Sequence, residues 1–302
     1  MSDGISFTHV LNPFPARPGS EHAIASRVTW QSLRVAHERA TQERIAVTCR
    51  AVVLHGDEST IESPVSETAY LTRTVQDIAK LKPIRHLPLI ADILNVGARA
   101  VTTSHLIFSN MDIAVQPDFY RLLRDMIAGP VGPNTPFTVP RVNIDAALAD
   151  APLEAMYAAS GPVGHGYDCF VIPLGMVPSL DLGECCIGAP HFDQLLVMEL
   201  DVLARNGVKS MDAERLTFHL GNDIAWAAMI DYVEYNLKQS LGAISRMRER
   251  YAIPDGSRFD RLDKRHFRRN ATLSSALLRK VRRIPGLSTI ILKAKRALGR
   301  QF

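Results

Sequence analysis

The sequence lacks the features that mark several common classes of protein. It has no run of about 18 apolar residues, which argues against a membrane-spanning helix. Its first residues, Met1–Gly4, lack the basic and apolar pattern of a secretion signal, so we expect a cytoplasmic protein. Only four cysteines occur, and their spacing fits no disulfide framework or zinc site: Cys49, Cys169, Cys185 and Cys186. We interpret them as reduced thiols.

Internal repeats and low-complexity segments are also absent. The composition is that of an ordinary globular protein, with 46% apolar and 22% charged residues. A chain of 302 residues can bury a sizeable core. These values fit one large α/β domain with an extension, which we place at residues 1–257 and 258–302.

Charge is distributed unevenly along the chain. Residues 258–302 contain fourteen Lys and Arg against two acidic residues, which gives +12 and leaves −8 on the remainder of a chain with net charge +4. Apolar and basic residues alternate at helical spacing in Leu273–Val281 and Ile290–Leu298. The pattern predicts a basic amphipathic helical tail that faces an anionic membrane surface, or a helix docked on its own domain or on another subunit. The tail has few aromatic residues, so we do not expect nucleic-acid binding.

The order of the predicted elements indicates a parallel sheet. Ile5–Leu11 and Ile45–Leu54 read as strands, and a helix that begins at Ser20 lies between them. Strand, helix and strand in this order predict a βαβ unit. Further along, the pattern predicts four helices, at His86–Leu94, Phe119–Ile127, Phe192–Ala204 and Ile224–Met247. It also predicts three strands, at Phe137–Val142, Asp168–Leu174 and Leu216–His219.

The most informative segment is Ser104–Asp112. Leu106, Ile107 and Phe108 read as a buried strand, and Asn110 and Asp112 follow it. Ligands of α/β sheets bind at the carboxyl ends of strands, and oxygen ligands suit a hard divalent cation that bridges to phosphates. The alternative is ordinary turn chemistry, in which Asx side chains bond to the backbone.

Four separated segments together resemble the GT-A type glycosyltransferases of the nucleotide-diphospho-sugar transferase superfamily. More narrowly, they are similar to a bacterial group with a short SN-x-DI segment and a G-x-D-x-F-V-x-P strand. The segments are Phe108–Asp112, Gly164–Pro173, Ile187–Asp193 and Leu216–Asn222. The resemblance implies a Rossmann-like, mainly parallel mixed sheet flanked by helices, over roughly residues 5–225.

The resemblance also implies a metal site. Asn110 and Asp112 match the family's DXD pair, which holds Mn²⁺ or Mg²⁺ and the donor diphosphate, although Asn110 replaces the usual first acid. His219 matches a histidine that completes the metal shell. A histidine satisfied within the core is the alternative for His219.

Two carboxylates are implied as catalytic residues. Asp193 matches the acid that serves as general base in inverting enzymes, although Phe192 replaces the Glu that often precedes it. A favourable charge at a helix N-terminus is the other explanation for Asp193. Asp168 is the second candidate. Gly164 and Gly166 resemble the glycine loop beside the donor sugar, or form an ordinary loop.

Other residues match regions that contact the donor nucleotide. Asn12 and Pro13 follow the first strand, and Asp57, next to Glu58, follows the second. Arg73, on a helix expected at Leu71–Ile78, could bind phosphate or form a surface ion pair. For Arg141 we consider a ligand contact or a structural salt bridge.

These residues together predict metal-assisted transfer of a sugar from a nucleotide-diphosphate donor to a glycan or lipid-linked acceptor, at the inner membrane face. The alternatives are a sugar nucleotidyltransferase and a catalytically degenerate nucleotide-sugar-binding or scaffold protein. The loop Asn12–Ser20 has one Gly and one Arg, which argues against the nucleotidyltransferase. The oligomeric state does not follow from the sequence.

Overall fold

The computed structural model describes residues 4–164, 166–204, 207–211, 215–221 and 229–268. The chain divides into two compact units whose segments alternate along the sequence. The first unit comprises Met1–Thr72, Ala91–Leu180 and Leu200–Asp223, and the second comprises Arg73–Ile90, Asp181–Glu199 and Ile224–Phe302.

Within the residues that the structure describes, strands occur only in the first unit. They are β1 (Ser6–Leu11), β2 (Ala46–Leu54), β3 (Glu67–Leu71), β4 (His105–Ser109), β5 (Ala114–Val115), β6 (Phe137–Thr138), β7 (Arg141–Ile144), β8 (Cys169–Pro173), β9 (Lys209–Ser210) and β10 (Thr217–Leu220).

The main sheet has seven strands in the order β3-β2-β1-β4-β8-β6-β9. The pairs β1–β2, β2–β3, β1–β4 and β6–β9 are parallel, whereas β8 runs antiparallel to both of its neighbours. A smaller sheet has the order β5-β10-β7. This mixed and mainly parallel arrangement confirms the fold class that the sequence predicted.

Eight helices flank the sheets or build the second unit within the described residues. They are α1 (Glu21–Gln42), α2 (Val75–Ile78), α3 (Ile90–Gly97), α4 (Phe119–Ala128), α5 (Leu153–Ala158), α6 (Phe192–Leu203), α7 (Ile230–Tyr251) and α8 (Arg258–Asp263). The structure describes no helix long and apolar enough to cross a membrane.

Local sequence explains how the first βαβ unit forms. Ser20 precedes α1, and its Oγ accepts a hydrogen bond from the Ala23 amide at 3.2 Å, which satisfies a donor that the first helical turn leaves open. Leu33 on α1 packs with Phe7 of β1 and Ile107 of β4 in one buried cluster. Burial of this apolar face stabilises the unit by roughly 1.5–3 kcal/mol for each large side chain.

Three predicted elements differ from the structure. Phe137–Val142 is not one strand, because Pro140 lacks an amide hydrogen and separates β6 from β7, which belong to different sheets. The helix expected at His86–Leu94 begins only at Ile90. The helix expected at Leu71–Ile78 is the short α2, and Arg73 precedes it.

The second unit is organised around α7. Asn236 is fully buried on this helix, and its side chain bonds the Cys186 backbone in both directions, at 2.9 Å to the amide and 2.8 Å to the carbonyl. Arg248, further along α7, contacts Asp260 and Asp263 of α8. Residues 258–268 of the predicted tail therefore pack within this unit, whereas 269–302, with both predicted amphipathic segments, lies outside the described residues.

Candidate active site

Three adjacent parallel strands of the first unit end at the same edge of the main sheet. They are β2, β1 and β4, in this order across the sheet. Polar candidates follow each of them: Asp57 after β2, Asn12 after β1, and Asn110 and Asp112 after β4. The topology therefore brings these residues to one edge of the sheet, where α/β proteins bind ligands.

Asp112 and His219 form the central pair of the site. His219 lies on β10, and its Nε2 is 3.4 Å from Asp112 Oδ2. The other ring nitrogen, Nδ1, lies 3.2 Å from the carbonyl oxygen of Gly221. A bond from Nδ1–H to that carbonyl directs Nε2 toward the carboxylate.

The pair is buried and each partner favours the charge of the other. Burial alone would raise the pKa of Asp112, but the hydrogen bond and charge of His219, helped by Arg141, bring it below its usual value. Burial likewise acts to lower the pKa of His219, and Asp112 outweighs it and raises that pKa. Without a metal the arrangement therefore favours an imidazolium beside a carboxylate.

Asp168 joins three polar side chains next to this pair. Its Oδ1 accepts a hydrogen bond from Asn110 Nδ2 at 3.0 Å, and its Oδ2 pairs with the Arg141 guanidinium. Arg141 Nε in turn donates to Asn143 Oδ1 at 3.0 Å. Burial raises the pKa of Asp168, and Arg141 opposes this shift. Both carboxylate oxygens are engaged, which favours a role in holding Asn110 and Arg141 in position.

The glycine loop crosses the start of β7. The Gly164 amide donates to the Arg141 carbonyl at 2.8 Å. A Cβ on Gly164 would lie 2.8 Å from both Cγ and Nε of Arg141, so any side chain there would displace the guanidinium. Gly166 has φ +110°, a conformation that side chains disfavour. The loop therefore fixes Arg141; a contact with a donor sugar stays a prediction.

The predicted nucleotide-contact residues have definite places. Asn12 is buried, and its Nδ2 donates to the Val52 carbonyl of β2 at 2.5 Å, while its Oδ1 has no hydrogen-bond partner among the described residues. Pro13, next to it, is also buried. Asp57 precedes a 3₁₀ turn, and burial, reinforced by the charge of Glu58, raises its pKa.

Two candidates lie in the second unit. Arg73 forms an exposed ion pair with Glu184 at 3.6 Å, the alternative that the sequence left open, and a contact with phosphate stays a prediction. Asp193 lies in the first turn of α6, where a negative charge is favourable. Its assignment as general base also stays a prediction.

The first unit supplies some, but not all, of the ligand atoms that a divalent cation needs. Asp112 Oδ1 is buried and accepts no hydrogen bond from any described residue. A carboxylate oxygen in this state suits a hard cation, and His219 and the Asn110 amide oxygen could add ligands. The described residues contain no cluster of three or more His, Cys, Asp or Glu side chains that could hold a metal. Phosphate oxygens or water would have to complete the shell, as is common for Mg²⁺.

Asn143 is the site residue that sequence reasoning missed, and for Arg141 it considered a salt bridge without predicting Asp168 as its partner. Arg141 pairs with Asp168, 27 residues away in the sequence, and Asn143 accepts from Arg141 two residues further along β7. The only sequence signal is two polar residues on one side of a short strand, Arg141-Val142-Asn143, whose middle residue is buried.

The architecture is that of the GT-A glycosyltransferases. No protein-family model and no curated protein matches the sequence. Among solved structures, residues 1–349 of TarS from S. aureus match with a TM-score of 0.53 and 9% identity, over 89% of this chain and 73% of that one. The same TarS fragment in complex with UDP-GlcNAc gives a TM-score of 0.52, 8% identity and coverage of 92% and 78%.

Mannosyl-3-phosphoglycerate synthase from Rubrobacter xylanophilus is also similar, with a TM-score of 0.49, 11% identity and coverage of 83% and 77%. The fold comparison rests on the two TarS structures. The chain therefore has the GT-A fold, as the sequence predicted.

Proposed function

We propose that this protein transfers a sugar from a nucleotide-diphosphate donor to a glycan or lipid-linked acceptor. The observation that carries the proposal is the buried Asp112 carboxylate, with one oxygen unpartnered among the described residues and the other facing His219. It follows β4 in a GT-A fold, and a protein of similar fold was solved with UDP-GlcNAc. Metal-assisted donor binding would use this carboxylate.

The residues of the site divide into groups with different roles in the proposal. Asp112, His219 and Asn110 would hold Mn²⁺ or Mg²⁺, which would neutralise charge on the leaving diphosphate. Asp168 holds the amide of Asn110 and the guanidinium of Arg141 in place. Arg141 adds a fixed positive charge beside the anionic donor. Asn12, Pro13 and Asp57 would contact the nucleoside part.

Inverting transfer also needs a carboxylate that accepts the proton of the acceptor hydroxyl. We assign this role to Asp193, whose side chain is partly exposed at the start of α6. Asp168 serves it less well, because both of its oxygens are engaged. The basic segment 258–302 would bring the protein to an anionic membrane surface that carries the acceptor.

The two alternatives have less support. A nucleotidyltransferase needs a glycine-rich basic loop after the first strand, and the loop after β1 has one Gly and one Arg before Ser20. A degenerate scaffold has no need of a buried carboxylate oxygen without a partner, which is costly to keep.

A binding experiment tests the proposal. A thermal-shift panel of UDP-, GDP- and TDP-sugars with and without Mn²⁺ identifies the donor, since a ligand at 100 times its Kd stabilises the native state by about 2.7 kcal/mol. Calorimetry then compares the parent with Asp112→Asn, which keeps the shape and removes the charge. Asp150→Asn is the matched control, because Asp150 is 94% exposed in the same unit.

We expect Asp112→Asn to lose metal-dependent donor binding and Asp150→Asn to bind like the parent. Equal metal and donor binding by both variants would show that the site lies elsewhere. Absence of any stabilisation by nucleotide sugars would remove the support for sugar transfer itself.

A further inference from the structure

A short basic segment of the second unit has no acidic residue. It runs from Ile78 to His86 with the sequence IAKLKPIRH, and it contains Lys80, Lys82 and Arg85. It lies between α2 and α3, and residues 82–86 are all exposed. Because residues 1–257 carry a net charge of −8, this segment is a local exception in an acidic part of the chain.

The apolar side chains of this segment face in two directions. Leu81 of the segment and Leu87, directly after it, pack against the buried cluster that contains Leu89 and Tyr232. Ile84 is 71% exposed, the highest value among the exposed large apolar side chains that the structure describes, and Ile78 is 37% exposed. The core therefore buries Leu81 and Leu87 and leaves Ile84, which lies between them in the sequence, exposed.

The backbone on both sides of Ile84 is held by one buried side chain. The Tyr232 hydroxyl donates to the Pro83 carbonyl at 2.6 Å and accepts from the Arg85 amide at 2.8 Å. Gln76 Nε2 also donates to this hydroxyl, at 2.8 Å. Tyr232 is fully buried, so the exposed position of Ile84 is built into the structure of the unit.

Two acidic side chains lie beside this segment, and the charge of one of them, Asp77, acts on Lys80 and His86. Asp77 accepts bonds from the backbone and side chain of Thr74, within the capping box of α2. Asp231 Oδ2 accepts from the Lys82 amide at 3.3 Å, and the Lys82 ammonium is not part of that bond. Against these two acids, the three basic residues Lys80, Lys82 and Arg85 leave a local surplus of positive charge.

We propose that the loop 78–86 docks on an anionic lipid bilayer, with Ile84 inserted at the headgroup level and Lys82 and Arg85 on the lipid phosphates. An exposed aliphatic tip flanked by basic residues combines apolar burial with electrostatic attraction, the two contributions that hold proteins at membrane interfaces. Nucleic acid fits less well, because the segment has no aromatic side chain on which bases could stack. The inference does not depend on the proposed sugar transfer.

A fluorescent reporter at the tip tests the proposal on the full chain. Ile84→Cys can be labelled selectively with an environment-sensitive dye, because the four native cysteines are 0% exposed. Gln42→Cys is the control position, exposed at the end of α1 in the first unit. Each labelled protein is mixed with phosphatidylcholine vesicles, with and without phosphatidylglycerol.

We expect the dye at position 84 to brighten and shift to the blue only with phosphatidylglycerol, and the dye at position 42 to stay unchanged. The double variant Lys82→Glu/Arg85→Glu, which retains the whole tail, should bind these vesicles about tenfold more weakly or worse. Arg17→Glu/Arg44→Glu, with the same charge change at exposed positions elsewhere, should bind within about threefold of the parent.

Other outcomes would overturn the proposal. Vesicle binding without any response at position 84 would assign the membrane contact to another surface, such as residues 269–302. A response to heparin but not to vesicles would indicate a soluble polyanion as the partner. Failure of the full chain to bind the anionic vesicles at low salt would remove the membrane contact altogether.

Discussion

Asn110 differs from the DXD pattern that this segment resembles, and its contacts give a local reason for the difference. Its side-chain amide donates to Asp168 Oδ1 at 3.0 Å, and its backbone amide donates to the Asp168 carbonyl at the same distance. An aspartate here could make the second bond but not the first. The local partner of Asn110 therefore explains an amide where the DXD pattern has an acid, and Asp112 keeps the charge.

Asn110→Asp should destabilise the metal-free protein. The change places two carboxylates at hydrogen-bond distance, so one must take up a proton or move, at a cost of about 1–3 kcal/mol. We expect a lower urea midpoint in the presence of a chelator, and partial recovery when Mn²⁺ is added, because a cation offsets the repulsion.

Asn143→Asp is the matched control for that change. Asn143 Oδ1 accepts from the Arg141 guanidinium, so a carboxylate there would face a cation. Its urea midpoint should stay close to that of the parent. An equal loss of stability in both variants would mean that the pairing of Asn110 with Asp168 has no special importance.

The sequence identified Asp112, Arg141 and Asp168 as candidates, but it did not predict that Arg141 and Asp168 pair with each other, and this difference has a physical reason. Asp112 follows a buried apolar strand, and strand ends can be recognised from local patterns. Arg141 and Asp168 meet only through the antiparallel pairing of β6 with β8 and the loop that follows β6. Such a contact depends on tertiary register, which one sequence does not encode in any local pattern.

At the scale of elements, periodic apolar patterns predicted a helix correctly where an end signal, such as a glycine after the last turn, agreed with them. The helix predicted at Phe119–Ile127 is α4, Phe119–Ala128, and Gly129 follows its end. The segment His86–Leu94, predicted as one helix, consists of an extended part and a helical part. Leu87 packs on the cluster from an extended segment, and the helix begins only at Ile90, whose amide bonds to Cys185. Tertiary bonding overrode the helical periodicity there.

Helix α6 supports a test of the proposed general base. Asp193 lies in its first turn, and the favourable interaction of a charge with the helix end amounts to only about 0.3–1 kcal/mol. Asparagine has nearly the same shape as aspartate, so Asp193→Asn should leave the fold intact. If Asp193 accepts the acceptor proton, turnover should fall by about 10²-fold or more with little change in donor affinity.

Asp201→Asn on the same helix is the control. Asp201 Oδ1 accepts from the Val208 amide at 3.1 Å, and an asparagine oxygen can keep that bond. Turnover should match the parent. Near-normal turnover of Asp193→Asn would move the catalytic role to another group or indicate a retaining reaction without an enzymic base.

At the scale of the whole molecule, the chain alternates between two units, which composition did not reveal. The sequence predicted one domain at 1–257 and a tail at 258–302 because the charge balance changes at Arg258. Charge reports surface character, whereas the units are defined by packing, and each draws on separated segments. The first eleven residues of the tail, 258–268, belong by their contacts to the second unit.

The place where the chain can be shortened follows from this packing. Phe259 is 4% exposed beneath the Arg248 guanidinium, whose carbon lies 5.0 Å from the ring centre, and Phe267 is fully buried against His191. A chain that ends at Ser257 loses both rings and leaves Arg248 without Asp260 and Asp263. Since burying one Phe contributes roughly 1.5–3 kcal/mol, the loss should be about 3 kcal/mol or more. A chain that ends at residue 268 keeps all of these contacts.

Urea denaturation should give the chain that ends at residue 268 a midpoint close to that of the full protein, and the chain that ends at Ser257 a clearly lower midpoint. Equal midpoints for the two truncated proteins would show that 258–268 adds little to stability, and that the domain ends at Ser257 as the charge pattern predicts.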